Sequence, residues 1–365
     1  MAKQVHVAKD DISQVETVEI ELPPLAQGAV RFAVESFSVT ANNVTYAVVG
    51  DGFGYWNFFP VPERSGAANS GIVPMWGHAR VIESNMPEFD VDERVYGYLP
   101  MGTHLDVVPG NVSAGGFTAV DEHRAPMSPI YNRYSRLAAD PEHDADREGE
   151  RMIFGPLFKT GFLIEYFLRA QDAFGAGQVV LTSASSKTAL GLASVARQNS
   201  PSLRRIGLTS AGNLEFVRGT GLYDLVLAYD AIGDLPEEPS ISVDFAGNAG
   251  VLADLHRHLG DSLKYSCLVG ATHIEERGSG MGGAADLPGP KPVLFFAPDH
   301  AVTLFAELGP EEAGRQMASA WHAFLEDVDG TVTIDRRKGL DAAREAFVAM
   351  VAGKVEPEVG IVIEP

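Results

Sequence analysis

The chain has 365 residues, a formal net charge of −21 and a single cysteine. A chain of this length is longer than one hydrophobic core usually serves, so we expect two domains. The negative charge disfavours binding to nucleic acid and to anionic membrane surfaces, and no apolar run is long enough to span a bilayer. One cysteine excludes an intramolecular disulfide, and the N-terminal stretch lacks the apolar segment of a secretory signal. We therefore expect a cytoplasmic protein that binds neither nucleic acid nor membrane.

The first part of the chain is rich in predicted β-strands. Between Val18 and Val49, apolar and polar residues nearly alternate, which predicts short strands. We interpret the aromatic stretch Phe53–Phe59 as an ordered loop that lines a cavity, although packing alone would also explain its composition. Two further strand-like stretches follow at 78–84 and 93–100.

From Phe154 onward, predicted strands alternate with predicted helices. Apolar residues recur at helical spacing across 161–174, and an apolar run at 178–183 is followed by a helical pattern at 188–199. Strands that alternate with helices predict an α/β domain, in which helices cover both faces of a parallel sheet.

This pattern predicts how the domains are arranged along the chain. A β-rich domain covers 1–150, an α/β domain covers 151–305, and a return over 306–365 completes the first domain. A cleft between two domains is the expected place for a cofactor and a small-molecule substrate.

The most informative segment is Gln178–Arg197, in which a short apolar run leads into small polar residues and then a helical pattern. Such a strand, turn and helix open a nucleotide-binding fold, and the helix N-terminus suits a phosphate. The turn reads Ser185, Ser186, Lys187 and Thr188, without the usual glycines. Either hydroxyls and an ammonium group replace the glycines in a phosphate site, or the site has been lost.

Several motifs, in chain order, resemble the zinc-independent, quinone-oxidoreductase-like branch of the medium-chain dehydrogenase/reductase superfamily. The similar stretches are 28–52, 91–97, 178–196, 204–230 and 340–364. The second stretch is similar to a Val-Gly-Asp-Arg-Val-Tyr-Gly motif, with Asp92 in place of the glycine. The cofactor turn of this family is usually Ser-Gly-Gly-Val-Gly, where this chain has Ser185 to Ala189.

The resemblance implies a GroES-like β-rich domain and a Rossmann-type domain with a doubly wound parallel sheet. It also implies NADP(H) as the cofactor, catalysis without zinc, and a homodimer. We expect residues 292–298 to pair at the edge of the sheet in that dimer.

The second strand of the Rossmann-type domain indicates which dinucleotide is bound. It ends at Thr209 and Ser210, with Asn213 beyond, and no acid follows where an NAD enzyme would bind the ribose 2′-hydroxyl. This pattern favours NADP, and Arg218 is a further candidate for its 2′-phosphate.

The resemblance places another part of the cofactor site near the end of a late strand. Gly270, Ala271 and Thr272 are similar to the backbone that borders the nicotinamide, and His273 follows them.

The resemblance also implies the catalytic groups. Tyr46 is similar to the tyrosine of the substrate loop and is the candidate donor to a carbonyl or enolate oxygen. Asn42 and Asn43 are neutral donors beside it, and Tyr55 and His104 are further candidates.

A catalytic zinc is not expected. Gly77 and His78 resemble the Gly-His-Glu segment of zinc-dependent relatives, but Ala79 follows and no upstream cysteine exists. Cys267 lies in a predicted buried strand and is interpreted as a core residue.

Two functions from different classes follow. The first is an NADP-dependent reductase of activated C=C or C=O bonds in a small, largely apolar substrate. The second is a non-redox ligand-binding or sensor protein on the same scaffold, with an altered or lost cofactor site. A hydrolase or lyase that uses His78 or His104 with Asp106 is a third alternative, for which the sequence lacks a nucleophile elbow.

Overall fold

A computed structural model describes residues 2–61, 69–269 and 287–365 of the chain. The chain divides into two compact units, one formed by Met1–Ile153 with Thr333–Pro365 and the other by Phe154–Val332. No helix in the described residues combines the length and the apolar character that crossing a membrane requires.

Strands and helices are numbered separately in chain order. The strands are β1 (Ala2–Ala8), β2 (Val15–Ile20), β3 (Val30–Val39), β4 (Ser70–Gly71), β5 (Pro74–Ser84), β6 (Arg94–Pro100), β7 (His104–Val107), β8 (Pro109–Ser113), β9 (Gly116–Ala119), β10 (Arg133–Arg136), β11 (Gln178–Leu181), β12 (Arg204–Thr209), β13 (Leu225–Ala228), β14 (Ser240–Asp244), β15 (Leu263–Leu268), β16 (Val293–Leu294), β17 (Thr333–Lys338) and β18 (Val359–Glu364). The α-helices are α1 (Ala41–Val48), α2 (Pro129–Asn132), α3 (Glu148–Ala170), α4 (Lys187–Asn199), α5 (Leu214–Gly219), α6 (Ala249–Leu259), α7 (Ala297–Leu308), α8 (Pro310–Asp327) and α9 (Leu340–Val351).

The first unit is built on a large sheet with the strand order β17-β18-β3-β5-β6-β10-β9-β8, and β7 also pairs with β3. A smaller sheet has the order β2-β1-β4. The C-terminal strand β18 pairs antiparallel with β3, so that Val362 lies opposite Ser38. Since β3 leads directly into α1, this return strand helps to fix the position of that helix.

The second unit contains a six-stranded sheet with the order β13-β12-β11-β14-β15-β16, and all its described pairings are parallel. This is the doubly wound order, in which the chain switches direction between β11 and β14 and ligands bind beyond the carboxyl ends of the strands. Every residue of β11 is buried, as is typical of a parallel strand covered on both faces. The predicted parallel sheet is therefore present.

The structure differs from the sequence-based interpretation at residues 41–48, which form helix α1 and not a strand or loop. Thr40 is the N-cap, and the Asn43 side chain accepts a hydrogen bond from the Thr40 amide at 2.7 Å. This capping box satisfies amides at the helix start and favours the helix over an extended chain.

Two C-terminal segments also differ from the interpretation. Within 292–298, only Val293–Leu294 form a strand, because Pro298 lies in the first turn of α7 and favours the start of a helix. Residues 306–332 belong to the second unit and not to the return, since α8 buries Trp321 and Phe324 against Phe158 of that unit. The predicted homodimer at the β16 edge stays a prediction.

Helices α3 and α4 approach each other closely at a glycine. A Cβ atom added to Gly161 in α3 would lie 2.5 Å from the backbone nitrogen of Leu192 in α4. Backbone cannot yield as a flexible side chain can, so this position accepts no side chain without moving a helix.

We predict that Gly161→Ala lowers the free energy of unfolding by about 2 kcal/mol, although alanine has the higher helix propensity. The matched control is Gly314→Ala in α8, where an added Cβ would meet no atom within 4 Å. That substitution should raise the free energy of unfolding by ~0.5–1 kcal/mol. Urea unfolding followed by circular dichroism compares the two, and equal effects would contradict the close approach.

Candidate functional site

The turn between β11 and α4 lies at the carboxyl end of the sheet in the second unit. Ser183 follows β11 with a left-handed φ of 48°, and Ser186 is the N-cap of α4. The Ser186 hydroxyl oxygen accepts the amide N–H of Ala189 at 3.3 Å. Lys187 and Thr188 form the start of the helix, where backbone amides have no intrahelical acceptor and the helix dipole is positive. The turn is therefore suited to an anion.

Two serine hydroxyls of this turn already accept hydrogen bonds from the protein. Ser185 Oγ accepts from Asn213 Nδ2 at 3.0 Å, as Ser186 Oγ does from Ala189. A hydroxyl that serves as an acceptor keeps its own proton to donate. The structure thus brings the predicted residues Ser185 and Asn213 together and leaves both hydroxyls able to donate to a phosphate oxygen.

Residues in β12 and beside β13 hold the turn in place. The Ser183 amide donates to Tyr229 Oη at 2.9 Å, and Tyr223 Oη donates to the carbonyl oxygen of Ala184 at 2.8 Å. A Cβ at Gly207 in β12 would lie 2.9 Å from Ala184 Cβ, so the turn packs directly on that strand. Neither tyrosine was identified from the sequence, because each lies in a segment remote from the turn.

A buried carboxylate at the end of β14 was also missed by sequence reasoning. Thr182 Oγ1 donates to Asp244 Oδ1 at 2.6 Å, and that oxygen also accepts the amide of Ala246 at 3.1 Å. Thr182 Oγ1 in turn accepts the amide of Phe245 at 2.9 Å. These bonds tie the end of β11 to the loop after β14 across the point where the strand order reverses.

The candidates for the 2′-phosphate differ in accessibility. Thr209, which ends β12, is 1% exposed, whereas Ser210 is exposed and Asn213 is half-buried. Arg218 is exposed and donates to the carbonyl oxygen of Val226 at 3.4 Å. Ser210, Asn213 and Arg218 are therefore accessible to a ligand, whereas Thr209 is not.

The predicted nicotinamide-bordering residues Gly270, Ala271 and Thr272, and His273 after them, lie outside the described residues.

In the first unit, the predicted donor Tyr46 lies on α1. Asn42 Nδ2 donates to Tyr46 Oη at 2.6 Å, and Trp76 Nε1 of β5 donates to the same oxygen at 3.1 Å. Burial, and next the neighbouring Tyr55, raise the pKa of Tyr46 above its ordinary range. The phenol therefore stays protonated at neutral pH. Since its oxygen accepts both of these hydrogen bonds, Tyr46 can act as a hydrogen-bond donor and not as a base.

Asn43, the other predicted asparagine, has a different environment. Its side chain is 2% exposed and donates to the carbonyl oxygen of Pro74 at 2.9 Å, in addition to capping the helix at Thr40. These contacts fix α1 on β5 and thereby position Tyr46.

Tyr46 belongs to a packed group of rings that we name the tyrosine cluster. Its members are Tyr46, Tyr55, Phe58, Trp76, Tyr98 and Tyr131. The Tyr55 and Tyr131 hydroxyls are 3.0 Å apart. Most rings of the predicted loop Phe53–Phe59 are buried in the core, and only Phe53 is exposed, so this stretch packs more than it was expected to. Trp76, Tyr98 and Tyr131 were not identified from the sequence.

The groups of the hydrolase alternative are engaged elsewhere. His78 is fully buried, and burial lowers its pKa to about 3. Asp106 accepts two hydrogen bonds from Arg31, each at 2.7 Å, and His104 Nδ1 lies 2.7 Å from Thr103 Oγ1. No catalytic pair is formed by these residues.

The lone cysteine and the acidic and histidine side chains supply no metal centre in the part of the chain that is described. Cys267 is buried, and burial raises the pKa of its thiol above the ordinary range. Across 2–61, 69–269 and 287–365, no group of three or more His, Cys, Asp or Glu side chains is placed to hold a metal ion.

The chain matches one family model and is similar in fold to solved oxidoreductases. The family model, described as "Protein of unknown function (DUF2855)", matches residues 37–356, and no curated protein matches the chain. Among solved structures, the chain is similar to CurA from Vibrio vulnificus in complex with NADPH, at 15% identity and a TM-score of 0.58 over 99% of this chain and 98% of that chain.

Two further solved structures show the same likeness. A quinone oxidoreductase from Pseudomonas syringae pv. tomato DC3000 is 14% identical, with a TM-score of 0.59 over 100% of both chains. The yhdH oxidoreductase from Salmonella enterica, solved in complex with NADP, is 15% identical, with a TM-score of 0.52 over 100% of this chain and 99% of that chain. At such identities the likeness shows the fold, and the predicted fold class is confirmed.

Buried tyrosines make the stability of the first unit depend on pH. Burial raises the pKa of several of them above the ordinary value near 10, namely Tyr46, Tyr55, Tyr96, Tyr98, Tyr131 and Tyr134. The folded state then binds these protons more tightly than the unfolded state does. The stabilisation from these tyrosines is therefore fully present below their unfolded-state pKa and is lost as pH rises through their folded-state pKa.

We predict a urea midpoint that is constant between about pH 7 and pH 9 and falls by about pH 11. Unfolding is followed by circular dichroism, and tyrosinate by its absorbance. The tyrosinate signal should develop together with unfolding. Complete ionisation of the tyrosines in a folded protein would contradict their burial.

Proposed function

This chain belongs to the DUF2855 family, and we propose that it is an NADP(H)-dependent, zinc-independent reductase. Its substrate carries an activated C=C or C=O bond and is small and largely apolar. The observation that carries the proposal is the turn after β11, where a capped helix N-terminus and two donor hydroxyls lie at the carboxyl end of a doubly wound sheet. Dinucleotides bind at this end of such sheets.

The residues present fit a dinucleotide without glycines. The Ser185 and Ser186 protons and the first amides of α4, at Lys187 and Thr188, supply donors to the pyrophosphate. Thr209 borders the site at the end of β12.

The strand end after β12 supports NADP over NAD. No carboxylate occurs from Thr209 to Asn213, so nothing there repels a 2′-phosphate or accepts a ribose 2′-hydroxyl. In the proposal, exposed Ser210 and half-buried Asn213 donate to the 2′-phosphate.

Tyr46 is the proposed donor to the substrate oxygen. Bound NADPH supplies a hydride to the substrate carbon. The Tyr46 hydroxyl donates its hydrogen bond to the substrate oxygen, where negative charge develops during reduction. Asn42 and Trp76 orient the phenol through its oxygen, and Asn43 fixes the helix that carries both. The aromatic surroundings of Tyr46 favour an apolar substrate.

A non-redox ligand-binding protein is the competing function. It is favoured by the absence of any glycine from Thr182 to Leu190. A reductase binds NADPH and consumes it with enones, quinones or aldehydes, whereas a non-redox protein does not consume it.

We predict that Tyr46→Phe lowers kcat for NADPH oxidation with a small enone or quinone by ~100-fold or more, because the developing oxyanion loses its donor. The NADPH dissociation constant should not change. Tyr96→Phe is the matched control, since this buried tyrosine lies in β6 of the same unit and donates to the Arg151 carbonyl oxygen, at 3.4 Å. A wild-type kcat for Tyr46→Phe would remove Tyr46 from the mechanism.

We predict that Ser210→Asp reverses the cofactor preference. A carboxylate at this position repels the 2′-phosphate and accepts the ribose 2′-hydroxyl of NADH, so the NADPH dissociation constant should rise about tenfold or more. The neutral control Ser210→Asn should keep the preference for NADPH. Fluorescence titrations of both variants measure the two constants, and an unchanged ratio for Ser210→Asp would show that the 2′-phosphate lies elsewhere.

A further inference from the structure

The backbone at Ser183 has a conformation that side chains disfavour. Its φ of 48° lies in the left-handed region, where a Cβ crowds the following carbonyl oxygen and glycine is preferred. The sequence offers no glycine between Thr182 and Leu190. An unfavourable backbone conformation persists only where the surrounding structure enforces it.

The contact that enforces it comes from Tyr229. This residue follows directly after β13, is half-buried, and accepts the Ser183 amide N–H on its hydroxyl at 2.9 Å. Because hydrogen bonds are directional, this bond fixes the orientation of the peptide between Thr182 and Ser183. The other end of that peptide is fixed as well, since the Thr182 side chain is bonded to Asp244.

The conformation of Ser183 is transmitted to the helix. The Ser186 amide donates to the Ser183 carbonyl oxygen at 2.8 Å, and Ser186 is the N-cap of α4. A change in the Ser183 peptide therefore displaces the cap and the donors beside it.

We propose that Tyr229 is a positioning residue for the cofactor turn, whose hydroxyl holds Ser183 in the left-handed conformation that a glycine would adopt unaided. The inference rests on the proposed dinucleotide site, and it explains how a turn without glycine keeps the geometry that phosphate binding needs. Tyr229 acts through Ser183 and needs no contact with the cofactor.

Tyr223 provides a matched comparison. Like Tyr229, it lies beside β13, and its hydroxyl donates to a carbonyl oxygen of the turn, that of Ala184, at 2.8 Å. Ala184 is not among the described residues with positive φ, so a glycine at this position would have no conformational advantage. A defect caused by loss of the Tyr223 bond should not be relieved at Ser183.

The test is a double-mutant cycle on the full chain with Tyr229→Phe, Ser183→Gly and both together. Tyr229→Phe keeps the ring and removes the hydroxyl, and we expect it to raise the NADPH dissociation constant about five- to tenfold. Ser183→Gly alone should bind NADPH nearly as the wild type does. The double variant should match Ser183→Gly, because glycine adopts the left-handed conformation without the bond. Ser183→Gly should not rescue Tyr223→Phe.

Thermal unfolding of the same proteins without cofactor separates this inference from the proposed function. A wild type that fails to bind NADPH would overturn the dinucleotide site, yet Tyr229→Phe should still lower the Tm and Ser183→Gly should still relieve that loss. Wild-type affinity in Tyr229→Phe would overturn the positioning role. A double variant as weak as Tyr229→Phe would also overturn it, since Tyr229 would then act on the ligand directly.

Discussion

The turn between β11 and α4 has to reverse the chain between two elements that the core holds rigidly. All four residues of β11 are buried, and so are the α4 residues from Ala189 to Ala196. Neither element can shift to relieve a poor turn, because close-packed interiors do not adjust continuously. The left-handed Ser183 accomplishes the reversal, and its hydrogen bond to Tyr229 compensates for the absent glycine. The direction of every donor at the start of α4 depends on this arrangement.

One pattern of hydrogen bonding recurs at both candidate sites. The oxygens of Ser185, Ser186 and Tyr46 each accept hydrogen bonds from the protein, and a hydroxyl group whose oxygen accepts still carries a proton that it can donate. Fixed donors of this kind stabilise negative charge without reorganisation, whether on a phosphate or on a substrate oxygen that becomes anionic. In the second unit such donors suit the phosphates of a dinucleotide. In the first unit they suit a substrate oxygen that becomes anionic during reduction. The same electrostatic logic thus supports both parts of the proposed function.

Sequence reasoning identified the features that depend on local pattern. Apolar runs alternating with helical spacing predicted the parallel sheet. The left-handed φ of 73° at Asp92, which replaces a glycine of the related motif, was not predicted. Helix α1 was missed because eight residues carry little periodicity and its capping box uses asparagine where glutamate or glutamine is usual. Tyr229 lies 46 residues from Ser183, and Asp244 lies 62 residues from Thr182. Such contacts form because the strand order brings distant segments together, and the residues of the turn itself do not indicate that order.

The proposed function depends on whether a turn without glycine still binds a dinucleotide. The most direct measurement is a fluorescence titration of the purified wild-type chain with NADPH and with NADH in the same buffer. We predict saturable binding of NADPH, with a dissociation constant about tenfold or more below that of NADH. If neither nucleotide binds, the turn is not a dinucleotide site, and the non-redox function takes the place of the reductase.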